Sequence, residues 1–258
     1  RDIAGVLEGI PPLSRAWQQL LSFTAAYYQR SAGEVALAAL PPQLRELNPE
    51  QMARRLKRKK VDAGAGGAVL AAPALSPEQA AAIAQIDAHP GPYLLFGATG
   101  SGKTEVYLRC VQEALEADPT AQALVMVPEI NLTPQLEERF TSRFAPRFGS
   151  QAVVSLHSGM TNPQRLKSWL AAHSGAARIV LGTRMAVFAS LPGLKLIVVD
   201  EEHDPSYKSQ DGARYSARDL AVYRAKRESQ GRSPAHCRVL LGSATPSLES
   251  WRAAEIGR

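Results

Sequence analysis

The chain has only two cysteines, Cys110 and Cys237, in 258 residues. Two thiols so far apart provide neither a disulfide framework nor, without histidines beside them, a four-ligand zinc site. They read as reduced thiols of a cytoplasmic protein. No apolar run approaches the ~20 residues that a membrane-spanning helix needs, so no membrane partner is expected. The chain opens on Arg1 with no signal-peptide pattern behind it, and it reads as a soluble, truncated chain. Excess charge is scarce too. There are 30 Lys and Arg against 24 Asp and Glu, a net charge of +6. The run Arg54-Arg55-Leu56-Lys57-Arg58-Lys59-Lys60 alone holds six positive charges, so the remainder is near neutral. With the following Ala63-Gly64-Ala65-Gly66-Gly67-Ala68 it reads either as a solvated flexible linker or as a tether to the DNA backbone.

What is present is a phosphate-binding pattern. Residues Gly97-Ala98-Thr99-Gly100-Ser101-Gly102-Lys103-Thr104 lie between a strand-like run ending at Phe96 and a helix-like stretch. Glycines let the backbone curl so that successive N–H groups point inward, and the positive end of the following helix adds to the cradle. Lys103 would then reach the β and γ phosphates of ATP, and Thr104 would ligate Mg²⁺. About a hundred residues on, Leu196-Ile197-Val198-Val199 runs into Asp200-Glu201-Glu202-His203. A buried strand ending in acids supplies the metal-side carboxylate, Asp200, and a second acid, Glu201, to orient or deprotonate water.

From residue 76 onward the pattern is regular. Apolar runs at 93–96, 123–127, 153–156, 178–181, 194–199 and 238–241 alternate with helix-like stretches at 104–117, 134–144, 163–173 and 216–228. This predicts an α/β fold, a mostly parallel, doubly wound sheet with helices on both faces and the ligand at the carboxyl ends of the strands. Ahead of it, Ser14 is a plausible N-cap, and Trp17, Leu20, Leu21 and Tyr28 fall on one apolar, core-facing stripe of a helix.

A third motif sets the class. Val239-Leu240-Leu241-Gly242-Ser243-Ala244-Thr245, downstream of the acidic box, resembles the coupling motif of superfamily 2 helicases. With Val127-Pro128-Glu129-Ile130-Asn131-Leu132-Thr133-Pro134-Gln135, Leu156-His157-Ser158-Gly159, Gly182-Thr183-Arg184, Ser206-Tyr207-Lys208-Ser209-Gln210 and Arg214-Tyr215-Ser216-Ala217-Arg218-Asp219, the chain from about residue 75 resembles the primosomal protein N′ family of replication-restart DNA helicases. The resemblance implies a RecA-like ATP-binding first lobe at 75–258, a basic, Gly/Ala-rich linker at 47–74, and at 1–46 the helical C-terminal part of a DNA-binding domain. It also implies 3′ to 5′ translocation on single-stranded and forked DNA in replication restart and primosome assembly. Restart proteins and single-stranded-DNA-binding protein would be partners, in the bacterial nucleoid. The family's zinc module lies further toward the C-terminus, so no zinc site is expected within this chain.

Residue roles follow in the same way. Lys103, Asp200, Glu201 and His203 would form the catalytic set. Glu202, Ser243, Ala244 and Thr245 would couple it to DNA, with His203 relaying nucleotide state toward Ser243 and Thr245. Gln79 could offer its amide to adenine, while Ser76 nearby could simply cap a helix. Thr183 and Arg184 resemble a backbone-phosphate contact. Tyr207, Lys208, Arg214, Tyr215 and Arg218 interleave aromatics with cations, which suits stacking on bases while holding phosphates.

Three other readings stay open: a nucleotide-gated DNA-binding module without turnover, an RNA helicase lobe, and a small-molecule kinase. In the helicases resembled, the arginine that completes phosphoryl transfer comes from a second lobe. The chain ends at Arg258, soon after Ser-Ala-Thr, so as given it is expected to bind ATP and to turn it over very slowly.

Overall fold

Alternate residues of a strand face opposite sides of its sheet, and here both sets are apolar, so helices must cover both faces. The computed structural model describes residues 7, 9–48, 50–52, 54, 73–89, 91–230 and 236–257. All of the basic run except Arg54, and the Gly/Ala-rich stretch after it, lie outside the described residues. The strands are β1 (Tyr93–Phe96), β2 (Gln122–Met126), β3 (Val153–Leu156), β4 (Ile179–Gly182), β5 (Leu194–Val199) and β6 (Arg238–Ser243). They form one sheet in the order β1-β6-β5-β2-β4-β3, and every pairing is parallel. Each end lies within two residues of the expected run.

The helices are α1 (Arg15–Tyr27), α2 (Ala32–Ala39), α3 (Gln43–Glu46), α4 (Pro77–Ala88), α5 (Lys103–Ala117), α6 (Pro134–Phe148), α7 (Asn162–His173), α8 (Ala217–Ser229) and α9 (Leu248–Glu255). One face of the sheet, with Leu124, Met126, Ile197 and Val199, packs against α1 and α8. The other, with Ala123, Val125, Leu196 and Val198, packs against α4, α5 and α6. On that second side Glu105 of α5 is buried and meets Arg109 and Arg143 at 3.3 Å and Arg139 at 3.6 Å, tying α5 to α6.

The N-terminal helices share this core. Ser14 Oγ accepts a hydrogen bond from the Trp17 amide and caps α1. Trp17, Leu20 and Leu21 are buried, and the Trp17 indole N–H donates to the Phe188 carbonyl at 2.7 Å. Tyr28 is half-buried, and its hydroxyl accepts from the Ser216 amide at 3.0 Å. Arg224 of α8 is fully buried; it donates to the Val187 carbonyl and lies 3.7 Å from Glu228.

Because all six strands run the same way, their carboxyl ends gather on one rim. The phosphate loop, residues 128–133, residues 157–159, Thr183-Arg184, the acidic box and Ser243-Ala244-Thr245 all stand there.

Candidate active site

Between β1 and α5 the chain turns through Gly100 (φ 80°) and Gly102 (φ 85°), left-handed positions that resist a side chain. A Cβ on Gly102 would also fall on the Gln79 amide. The loop is fastened to its neighbouring strand by the Gly97 amide donating to the Ser243 carbonyl, and closed by Ser101 N–H donating to Ala98 O. Lys103 Nζ donates to the carbonyls of Gly97 at 2.8 Å and Ala98 at 3.3 Å, and lies 3.9 Å from Glu201 Oε1. Thr104 follows in the first turn of α5, half-buried, while Ala98, Thr99 and Ser101 form the exposed rim.

The acidic box leaves the end of β5, and its members turn in different directions. Asp200 points to α5, where its Oδ1 accepts from the Tyr107 hydroxyl at 2.9 Å. Its main-chain carbonyl accepts from the Tyr207 hydroxyl at 2.6 Å. Burial raises the Asp200 carboxyl above its usual range; the Tyr107 hydrogen bond opposes this and the charge of Glu201 adds to it. Glu201 has φ 45°, a left-handed setting unusual for glutamate, and its carboxylate lies between Lys103 and His203, the latter at 3.7 Å. Glu202 faces inward. It accepts from the Ser247 amide at 2.7 Å, the Ser250 hydroxyl at 2.8 Å and the Arg218 guanidinium at 3.2 Å. His203 meets Ser243 Oγ through Nδ1 at 2.8 Å and Thr245 Oγ1 through Nε2 at 3.2 Å. Ala244, between those two hydroxyls, is half-buried.

These groups suit a magnesium nucleoside triphosphate. The left-handed glycines shape a backbone cradle, and beside it the Lys103 ammonium meets the Glu201 carboxylate. Among the described residues no group of three or more His, Cys, Asp or Glu is placed to hold a metal ion. A Mg²⁺ held by Thr104, Asp200 and phosphate oxygens needs no such cage.

Several expected roles do not match where the side chains stand. Tyr207 is 2% exposed with its hydroxyl bound to Asp200, so it has no free face for stacking on a base. Arg218 is committed to Glu202, Ser247 and Asp219 rather than presented outward. Thr183 is buried, and Arg184 donates to the carbonyls of Ser206 and Lys208, bracing the loop instead of projecting from it. Tyr215 packs edge-on against Phe188, ring centroids 4.9 Å apart; burial pushes its phenol up to about 12 while Arg184 opposes the rise. Lys208 and Arg214 are exposed, with the Lys208 ammonium over the Tyr28 ring. Gln79 combines the two readings weighed for its neighbourhood in another way. Its Oε1 accepts from the Ser76 amide, completing a capping box, and its Nε2 donates to the Gly102 carbonyl.

Sequence reasoning passes over Tyr107, Ser247 and Ser250. Tyr107 stands four residues after Lys103, one helical turn on, so it shares the inward face of α5. That spacing is the one signal the sequence offers. Nothing local marks Ser247 and Ser250, far along the chain, as partners of Glu202.

The profile of the DEAD/DEAH box helicase family matches residues 76–253. Over 186 residues the chain is 46% identical to replication restart protein PriA of Haemophilus influenzae, covering 71% of this chain and 24% of that protein. It is 39% identical over 232 residues to the PriA of Treponema pallidum, covering 89% and 32% respectively. The chain thus spans a quarter to a third of these relatives. Among solved structures it resembles in fold the DEAD-box helicase Mss116 bound to ssRNA and UDP-BeF, with a TM-score of 0.53 at 20% identity over 71% of this chain and 38% of that one. The DUF1998 helicase MrfA bound to DNA gives 0.50 at 18% identity, over 70% and 24%.

Proposed function

The chain belongs to the DEAD/DEAH box helicase family, and from that we propose that it is the ATP-binding lobe, at residues 75–258, of a DNA helicase acting in replication restart, the role carried in the name of its PriA relatives. The observation that carries the reading is the approach of Lys103 to Glu201 at 3.9 Å across the mouth of the glycine loop. Lys103 would release the Gly97 and Ala98 carbonyls to hold β and γ phosphates, and Glu201 would orient the attacking water. Thr104 and Asp200 would hold Mg²⁺, which when bound neutralises charge on the phosphate oxygens. His203, between Ser243 and Thr245, would carry the state of the site toward the DNA-facing rim. The proposal extends to 3′ to 5′ movement on forked DNA, with Lys208 and Arg214 as its exposed cations. Residues 1–46 would be the end of a DNA-binding domain docked on this lobe and 47–74 its basic linker.

The test is the rate of ATP hydrolysis by a longer protein in which this lobe is joined to a second motor lobe, with single-stranded DNA, with RNA and with neither. DNA should stimulate most. Equal or greater stimulation by RNA would overturn the DNA reading, and hydrolysis that neither polymer changes would overturn the helicase reading.

A further inference from the structure

Two elements distant in sequence meet at the Asp200 carboxylate. Tyr107 is 2% exposed, one turn along α5 from Lys103, and its hydroxyl donates to Asp200 Oδ1 at 2.9 Å. The same hydroxyl lies against β6 where residue 242 is glycine. A Cβ there would fall on the phenol oxygen and stand 2.8 Å from the ring carbon Cζ. The Gly242 carbonyl in turn accepts from the Glu202 amide at 3.0 Å. One hydroxyl thus touches the phosphate-loop helix, the acidic box and the strand that opens into Ser-Ala-Thr.

Packing alone does not call for that oxygen. Phenylalanine would fill the ring's volume, and a buried hydroxyl is unfavourable unless it is hydrogen-bonded. Here it has one proton to donate, and it donates it to Asp200, which fixes the carboxylate in rotation and leaves the second oxygen for another partner. Groups that orient a ligating carboxylate in this way tune metal affinity strongly.

We propose that Tyr107 is a positioning residue that aims the Asp200 carboxylate at the metal accompanying the nucleotide, and that residue 242 is glycine because this hydroxyl needs its space. The proposal rests on the reading of this site as one for Mg-ATP.

The experiment follows binding of a fluorescent N-methylanthraniloyl-ADP to the full chain as Mg²⁺ is raised from an EDTA-treated start, with circular dichroism as the folding control. Tyr107→Phe keeps the ring. It should leave Mg²⁺-free binding unchanged and raise the half-saturating Mg²⁺ concentration by about 10- to 100-fold. Gly242→Ala, which displaces the hydroxyl, should shift Mg²⁺ dependence in the same direction. The double variant should be no worse than the more impaired single one, because both act through the same oxygen. A wild-type Mg²⁺ midpoint in Tyr107→Phe, or an additive double variant, would overturn the proposal. If the unaltered chain shows Mg²⁺-dependent binding that Lys103→Ala removes and Tyr107→Phe leaves intact, the positioning role alone fails. If it binds no nucleotide at any Mg²⁺ concentration, the ATP reading fails and takes the positioning role with it.

Discussion

His203 Nδ1 stands 2.8 Å from Ser243 Oγ, and the opposite ring nitrogen stands 3.2 Å from Thr245 Oγ1. A single imidazole from the acidic box therefore reaches both hydroxyls of the Ser-Ala-Thr segment. Ser243 is fully buried, and its hydroxyl also accepts from the Thr245 amide, so the segment has little freedom to move apart from His203.

Ser243→Ala removes the inner end of that bridge. Nucleotide binding, which involves other groups, should persist, while the ratio of ATP hydrolysis rates with and without single-stranded DNA should fall toward one. Steady-state hydrolysis at saturating ATP, in a longer protein that joins this lobe to a second motor lobe, reads this directly, and an undiminished ratio would remove the bridge from coupling.

For nucleotide binding itself, Mg-ATP at a hundred times its dissociation constant should stabilise the chain by about 2.7 kcal/mol. Thermal melting should show that shift in the unaltered chain and in Glu201→Gln, and lose it in Lys103→Ala. A shift that survives the loss of Lys103 would place the nucleotide elsewhere.

The cations around the loop should separate in salt titrations of single-stranded DNA binding. Each phosphate that a side chain ceases to neutralise takes about 0.7 off the slope of log affinity against log salt. Lys208→Ala and Arg214→Ala should each lower the slope by such a step, because both side chains are exposed. Arg218→Ala should leave the slope in place, because its guanidinium is already paired with Glu202 and Asp219. A lower slope in the Arg218 variant would return that residue to the DNA surface.

Glu202 occupies the third place of the box, where the family's name has alanine. Glu202→Ala would leave the Ser247 amide, the Ser250 hydroxyl and Arg218 without their shared acceptor. Removing one member of a buried charged pair is strongly destabilising, about 3 kcal/mol here. Urea denaturation should show the loss as a lower midpoint with the slope retained.

Acid sensitivity should trace to His173. Its ring is buried between the Ser190 hydroxyl at 2.8 Å and the Pro11 carbonyl at 2.7 Å. A carbonyl only accepts, so Nε2 carries the proton in the neutral ring. Desolvation lowers the pKa below 6.5, with the Pro11 hydrogen bond working the other way. The unfolded chain therefore takes up the proton first, and the contribution to stability is full above pH 6.5 and declines as pH falls below it, by at most about 1.4 kcal/mol per unit. Comparing melting at pH 7.5 and 5.5, His173→Gln should lose less stability than the unaltered chain.

The strands are legible in the sequence because each is a short, continuous apolar run, as a sheet covered on both faces requires. The phosphate loop and acidic box are legible because their chemistry is confined to a few adjacent residues. Pairings between distant segments are not. Tyr207 and Arg218 sit among cations and aromatics whose spacing reads the same whether a side chain faces solvent or core. Only the burial of Tyr207 under Asp200 and the reach of Arg218 to Glu202 decide between the two. Gln79 reads as a free amide because the turn that brings Gly102 to it lies 23 residues away.

The indole of Trp17 has a practical consequence for anyone cutting this lobe from its surroundings. The family match begins at residue 76, which invites trimming there. Yet Trp17, Leu20, Leu21 and Ala25 form the lid over Phe188, Leu220, Ala221 and Ala225. A protein starting at residue 76 would lay those residues open to water and leave the Phe188 carbonyl without its donor. A contiguous greasy surface of that kind drives self-association, so the shortened lobe would tend to clump. A start upstream of residue 9 would keep the lid in place.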